Sequence, residues 1–316
     1  MQHPDVTLET IRAARERIAG RTRRTPVFEN ETLNELAGAQ LYFKCENFQA
    51  GGAFKARGAT NAVFALSAGE LRAGVVTHSS GNHGAALARA ARLRGVRARI
   101  VMPDNSSRAK LEAVRGFGGE VLLCEPTLAA REALAAQLVA DSGAAFVHPY
   151  DDPRVIAGQG TIGLELLEEV PELDWLLLPV GGGGLASGVA VAAKAMRPTI
   201  RVVAVEPIGA DDAQRSFSSG VLSPARQPAT IADGLRGALS ARTFDLIRRH
   251  VDAIVTVSDE AIVQAMRTLW QHLKIIVETS AAVPYAAVQS HQLEVSGARV
   301  GIILTGGNVD LDELPW

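Results

Sequence analysis

Lysine is scarce in this chain: of its 32 basic residues only five are lysines, so each one marks its position. Cysteine is scarcer still, at two. Cys45 and Cys124 each fall in an apolar, strand-like run, L-Y-F-K-C-E and V-L-L-C-E, and no C-x-x-C occurs. That pattern predicts buried thiols in a reducing cytoplasm rather than a disulfide or a zinc site. Charge of one sign is missing too. A net charge of -2 gives neither nucleic acid nor an anionic membrane a reason to bind. No apolar run approaches the ~18 residues of a membrane span. The first residues, Met1-Gln-His-Pro-Asp, lack the basic-then-apolar pattern of a secretory signal. Repeats and low-complexity stretches are absent as well. What remains, 316 residues with 47% apolar and 21% charged, describes an enzyme-sized globular chain of roughly two domains.

Apolar spacing places a helix over Glu9–Ile18 and a strand over Leu41–Glu46, followed by the Gly51-Gly52 turn and a helix over Ala56–Leu66. Strands are then expected at Val75–Ser79, Ala98–Met102, Val121–Cys124 and Ala145–His148. Helices are expected between them at His83–Leu93, Arg108–Phe117 and Leu128–Asp141. The alternation continues with helix Val155–Glu169, strand Trp175–Val180, helix Leu185–Met196 and strand Val202–Glu206. Polar sequence from Ser218 to Gly234 reads as a surface or lid loop. Helix Phe244–Ile247, strand Ile254–Val257 and helix Glu260–Lys274 follow. Ser280–Gln289 should kink or begin at Pro284, and Val300–Leu304 is the last strand. Near-continuous apolar strands separated by helices predict an α/β protein with two open parallel sheets. The division expected is a large domain of residues 1–66 and 153–316, with a small domain of residues 74–150 inserted and a ligand cleft between them.

Five stretches concentrate chemistry. In F-Q-A-G-G-A-F-K-A-R-G, Lys55 follows a double-glycine turn at the start of a helix, where desolvation would lower its pKa and free the amine to attack a carbonyl. In T-H-S-S-G-N-H-G (77–84), hydroxyls, an amide and exposed N–H groups at a helix start make a carboxylate receptor. Pro179-Val-Gly-Gly-Gly-Gly-Leu185 bares four consecutive backbone N–H groups and suits a phosphate dianion. With Glu206 ending the next strand, it is also compatible with a dinucleotide and its ribose, the reading of an oxidoreductase. Glu206-Pro-Ile-Gly-Ala-Asp211-Asp212 is either a hard-cation site or a solvated acidic loop. Leu304-Thr-Gly-Gly-Asn-Val-Asp310 ends a strand with a hydroxyl and two glycines. His148 reads as structural, and His250, His272 and His291 as surface helix residues. A desolvated lysine, a phosphate cup, a carboxylate receptor and a strand-end hydroxyl together suit pyridoxal phosphate held as a Schiff base.

A-F-K-A-R-G-A, S-S-G-N-H-G, V-G-G-G-G-L, V-E-P-x-x-A-D-D and L-T-G-G-N-V-D resemble, in order and spacing, the fold-type-II pyridoxal-phosphate enzymes, the tryptophan synthase β-like fold. Within them the chain looks most like the branch of serine racemase and catabolic serine/threonine dehydratase, from about Thr25 to Asp310. The resemblance implies that Lys55 carries the cofactor and moves the α-proton, that Phe54 packs by its ring and that Asn82 bonds its phenolic oxygen. Gly181, Gly182, Gly183 and Gly184, with Leu185, would bind the phosphate, and Thr305 would face the pyridine nitrogen. Ser79, Ser80, Asn82 and His83 would receive the substrate carboxylate, and Ser80 matches the second acid/base on the opposite face. Glu206, the Ala210 carbonyl and Asp212 match a site for Mg2+, or for Mn2+ or Ca2+. Arg131 aligns with an arginine that meets a second substrate carboxylate, or is an exposed helix charge.

The activity so implied is dehydration of L-threonine, L-serine or threo-3-hydroxyaspartate to the keto acid and ammonia by a cytoplasmic homodimer. Racemisation on the same site, with Ser80 returning the proton, is the alternative. Three positions depart from the branch: Tyr150 where Asn or Phe is commoner, Gly237 where a serine reaches substrate, and Glu278-Thr279 where Glu-Pro is usual.

Overall fold

Short apolar strands alternate with alanine-rich helices along nearly the whole chain. The computed structural model describes residues 5–79, 81–224 and 227–316. The amino-terminal elements are α1 (Leu8–Ile18), β1 (Val27–Phe28), α2 (Glu31–Ala37), β2 (Gln40–Cys45) and α3 (Lys55–Ala65). Next come β3 (Val75–His78), α4 (Asn82–Arg94), β4 (Ala98–Pro103), α5 (Arg108–Gly116), β5 (Glu120–Cys124), α6 (Leu128–Ser142) and β6 (Ala145–Phe146). The remainder is α7 (Pro153–Glu169), β7 (Trp175–Pro179), α8 (Gly184–Met196), β8 (Arg201–Pro207), α9 (Asp212–Ser219), α10 (Ala241–His250), β9 (Ala253–Val257), α11 (Asp259–Leu273), α12 (Thr279–Gln289) and β10 (Arg299–Leu304).

Two sheets result. One is wholly parallel, in the order β5-β4-β3-β6. The other runs β1-β2-β10-β7-β8-β9 and is parallel except for β1 against β2. Parallel strands need crossovers, and the crossover helices cover the faces of the larger sheet. Leu176, Leu177, Leu178, Val202, Val203 and Ala204 are therefore buried on both faces of β7 and β8. Each such large aliphatic side chain contributes ~1.5–3 kcal/mol relative to an exposed one.

α3 joins the two halves, packing on α4 on one side and α7 on the other. Its contact with α7 is backbone to backbone: a Cβ on Gly158 would stand 2.6 Å from Gly58 Cα. Beneath the start of α3 lies a buried ionic quartet. Arg57 bonds Glu46 (2.8 Å, twice) and Glu165 (2.7 Å, twice), and Lys44 bonds Glu165 at 2.8 Å. Two cations against two carboxylates leave the quartet neutral, which is the condition for burying it.

Most of the expected elements are present, and the differences have local causes. α2 has only seven residues; Asn30 caps it and left-handed Gly38 ends it. The eight-residue α9 begins within the acidic run that reads as loop or ligand set. α10 extends to both sides of 244–247 because Ser240 and Thr243 form a capping box. α12 starts at Thr279 and contains Pro284 rather than beginning there. Cys45 is buried, but Cys124 is only half-buried on β5, which corrects the expectation for that thiol; both are free. His291 lies past the end of α12 with φ 55°, not on a helix.

Candidate active site

α1, α2, α6, α7, α10 and α11 each begin on a side chain that accepts one of the first backbone N–H groups. α3, α4 and α8 have no such cap. All three follow motifs singled out in the sequence; α4 and α8 stand at the carboxyl ends of β3 and β7, while at the head of α3 the Ala56 and Arg57 N–H groups donate to the Ala53 and Phe54 carbonyls.

Lys55 is the first residue of α3. Its approach is fixed by the strand-end motif after β10, because Phe54 N–H donates to the Thr305 carbonyl at 2.9 Å and Ala53 bridges to Gly306. The Lys55 Nζ lies 5.1 Å from the centre of the Phe54 ring and donates to the Pro149 carbonyl at 3.0 Å. Although the residue stays partly open, the protein around the amine lowers its pKa to about 8, against an opposing pull from Glu278. At neutral pH roughly a tenth of the amine is then unprotonated.

Glu278 is a site residue that the sequence reading noted only as a departure. Its carboxylate accepts the Asn82 amide at 3.0 and 3.1 Å, and Asn82 Oδ1 in turn accepts from Asn308 Nδ2 at 2.9 Å. Burial pushes the Glu278 carboxyl up to about 7, opposed by the Asn82 bond. In the fold it is the residue before α12, and its side chain does not cap that helix. Asn308 also donates to the Gly51 carbonyl at 2.9 Å, and left-handed Gly52 is required because a Cβ there would stand 2.3 Å from Asn308 Oδ1.

The glycine loop offers the second feature. Among the described residues no acceptor is bonded to the N–H groups of Gly181, Gly182, Gly183, Gly184, Leu185 or Ala186. Among the described residues the N–H groups of Asn82 and His83 at the head of α4 likewise find no acceptor. Open donors at two helix N-termini suit two anionic groups, such as a phosphate and a carboxylate. Ser79 stands beside them, its Oγ accepting from Gly81 N–H at 3.3 Å. Ser80 lies outside the described residues.

The His83 ring is 2% exposed, and neither of its nitrogens has a partner among the described residues. Burial holds this ring, and His78 and His148 near it, below the usual histidine range. His148 is structural: Nδ1 accepts from the Tyr150 and Asp151 N–H groups and so shapes the turn that presents the Pro149 carbonyl. Thr305 is buried, and its hydroxyl bonds no described residue. Arg131 is half-buried rather than exposed, and its Nε donates to the Thr127 carbonyl at 3.3 Å. It forms no ion pair among the described residues.

Glu206 is fully buried, its oxygens accepting from Ala213 N–H (3.1 Å) and Gln214 N–H (2.9 Å). Asp212 accepts from Leu239 N–H at 3.4 Å, and Ala210 is buried in the turn between them. Burial pushes Glu206 up to about 8, with Asp212 adding to the rise. Among the described residues no group of three His, Cys, Asp or Glu side chains could hold a metal. This pair with one carbonyl is a smaller, all-oxygen set.

An amine poised for carbonyl chemistry, beside an anion cup on a two-sheet α/β scaffold, defines a carbonyl-cofactor enzyme. The chain belongs to the family of pyridoxal-phosphate dependent enzymes, whose model matches residues 18–306. It is 51% identical to the beta-hydroxyaspartate dehydratase of Paracoccus denitrificans over 98% of both chains. It is 46% identical to the serine racemase of Dictyostelium discoideum, over 98% of this chain and 97% of that one. The structure of maize serine racemase superposes with a TM-score of 0.96 at 44% identity, covering 98% of this chain and 95% of that one. The residues fit the cofactor: unbonded N–H groups for its phosphate, the Lys55 amine for its aldehyde and a free Thr305 hydroxyl. No described helix is long and apolar enough to cross a membrane.

Proposed function

We propose that the chain is a lyase that dehydrates a small β-hydroxy α-amino acid, L-threonine, L-serine or threo-3-hydroxyaspartate, to the α-keto acid and ammonia. The observation that carries this reading is the Lys55 amine, its pKa lowered to about 8 and aimed by the Pro149 carbonyl beside an uncapped glycine loop. Bound there, pyridoxal phosphate supplies an electron sink for the α-carbon of the substrate. The Gly181–Gly184 and Leu185 N–H groups would hold the phosphate, and Phe54 would pack by the ring. Asn82, oriented by Glu278 and Asn308, would donate to the phenolic oxygen. The Thr305 hydroxyl would stand by the pyridine nitrogen, where a neutral group would favour elimination.

Ser79 and the N–H groups at the head of α4, from Asn82 and His83, receive the substrate carboxylate. Lys55 Nζ takes the α-proton, the β-hydroxyl leaves as water, and hydrolysis of the released enamine returns a water to give keto acid and ammonium. Of the candidate substrates, 3-hydroxyaspartate is favoured by the Paracoccus relative and by Arg131, a half-buried cation without a carboxylate partner among the described residues. The resemblance further supports a divalent cation on Glu206, Ala210 and Asp212, and a cytoplasmic homodimer. Burial raises the pKa of both carboxylates, and a divalent cation would stabilise their charged forms.

The serine racemase relatives support a second activity, inversion, with Ser80 as the opposing acid. The test is a panel of the three amino acids, assayed for keto acid with ammonia and separately for inversion. Keto acid outpacing enantiomer supports the lyase, enantiomer outpacing keto acid makes the protein a racemase, and a protein inert on the whole panel refutes both.

A further inference from the structure

Two grooves of similar size lie away from the candidate active site, and their charges differ. One, of about 390 Å³ beside β1 and β2, is lined by Glu29, Glu169, Glu172 and Arg299 among others, and its arginine is paired with Glu172. The other, of about 460 Å³, lies at the amino ends of β3 and β4 in the smaller sheet, and no residue lining it is acidic. Arg72, Arg97 and Arg99 line it instead. Among the described residues none of these three has an ion-pair partner. Glu120 stands opposite Arg99 in the register of β4 and β5, yet makes no ion pair with it.

The backbone fixes where the three arginines meet. Left-handed Gly74 (φ 83°) turns the chain into β3, its N–H donating to the Leu71 carbonyl at 2.9 Å. A Cβ on Gly74 would stand 2.4 Å from the Arg97 carbonyl oxygen, which accepts from Val75 N–H at 2.9 Å. The segment carrying Arg72 is thereby pressed against the segment carrying Arg97, an approach that glycine permits. Arg99 is half-buried and braced by a bond from Nη2 to the Ala73 carbonyl at 3.3 Å, with its other donors uncommitted among the described residues. The groove is separate from the site above: at ~3.3 Å per residue along β3, Gly74 lies ~16 Å from Ser79.

We propose that this groove is a second anion site, taking a phosphorylated small molecule whose oxygens accept from the Arg72, Arg97 and Arg99 guanidiniums. It goes beyond the lyase reading and stands or falls without it. Planar guanidinium forks match phosphate oxygens two at a time, where a lysine offers only a point charge. The volume falls within the ~300–1,000 Å³ of small-molecule sites, and Leu71 and Val96 give the organic part of such a ligand an apolar wall. A net charge of -2 disfavours a phosphate polymer as the occupant.

The test is calorimetric titration of pyrophosphate into cofactor-saturated protein, with chelator present, so that the glycine cup is already filled. Parent, Arg72→Gln, Arg97→Gln and Arg108→Gln are compared. Arg72 and Arg97 are exposed, and the melting temperature without pyrophosphate checks that each variant is folded. Arg108 is exposed on α5 outside the groove, so its loss subtracts the same charge elsewhere. The expected result is one saturable site in the parent, weakened about tenfold or more by either groove substitution and within about twofold of the parent in Arg108→Gln. No saturable binding up to about 1 mM, equal weakening in all three variants, or binding seen only in cofactor-free protein overturns the proposal. So does a short single-stranded RNA that competes for the groove more tightly than pyrophosphate, which makes it a nucleic-acid surface instead.

Discussion

Replacing Arg57 by methionine keeps most of the side chain's length and removes its charge. Glu46 and Glu165 then remain fully enclosed with Lys44 as their one cation, which binds only Glu165. Glu46 loses both of its guanidinium bonds and keeps only its contact with Thr25. Breaking a buried ion pair from one side costs ~3–5 kcal/mol, because a charge is left uncompensated. At the ~2 °C per kcal/mol of long chains, that lowers the melting temperature by about 6–10 °C. The effect has a pH signature. Burial pushes the Glu165 carboxyl up, but the Arg57 bonds and charge, with Lys44, outweigh it and hold it below its usual value. A carboxylate with a depressed pKa stabilises the fold above its unfolded value of ~4.5, and that contribution is lost as pH falls through the folded pKa. The gap between parent and Arg57→Met should therefore be widest at neutral pH and narrow below about pH 4.5. Adding Glu46→Gln restores neutrality, so the double variant should recover part of the loss. Scanning calorimetry on cofactor-saturated protein measures all three. A melting temperature that drops less than ~2 °C at pH 7, or a drop that does not depend on pH, would refute the account.

Lys55→Ala should abolish the Schiff-base absorbance and lower keto-acid formation by roughly 10³-fold or more; retained absorbance contradicts the site. For the apoprotein, the rate of cofactor uptake should rise with pH through about 8 as the Lys55 amine loses its proton. Glu278→Gln removes the negative charge that raises this pKa, so the midpoint should move to lower pH; a midpoint that moves up is the contrary result. If Glu206 and Asp212 hold a cation, chelator-stripped protein should gain up to ~2.7 kcal/mol when Mg2+ reaches about a hundred times its Kd. Glu206→Gln should erase that gain, and a melting curve indifferent to Mg2+ removes the metal from the description.

Sequence periodicity carried the fold because the central strands hold short apolar runs, interrupted by a few polar residues such as Lys44 and Glu206, and the crossover helices exceed two turns. It failed where length and context ran short: α2 and α9 are seven- and eight-residue helices whose existence depends on a cap or a preceding turn. The site was legible as motifs because clusters of glycine and small polar residues between an apolar strand and a helix are visible in the residue order. Glu278 was not, since its partner Asn82 is 196 residues away and only the fold brings the pair together. The burial of the His83 ring is likewise invisible in a motif otherwise made of small polar residues. The tyrosine and glycine at 150 and 237 could each be seen, but only the fold brings them within contact distance.

The way charge is distributed here explains why glycine, and not arginine or lysine, forms the anion cup. Any cation placed there would add a positive field at Lys55 and drive its pKa further below about 8. Backbone N–H groups stabilise a phosphate with fixed dipoles and contribute no net charge before it arrives. The one charged group that perturbs the Lys55 amine is Glu278, and its sign is opposite: it keeps the amine basic enough to accept a proton while burial keeps it from being permanently charged. Glu278 is itself poised near neutrality by burial, with the Asn82 bond pulling the other way. A bound dianion would raise both of these pKa values. Under the proposed mechanism, filling the cup would make the Lys55 amine more basic and so favour its part as acceptor of the α-proton.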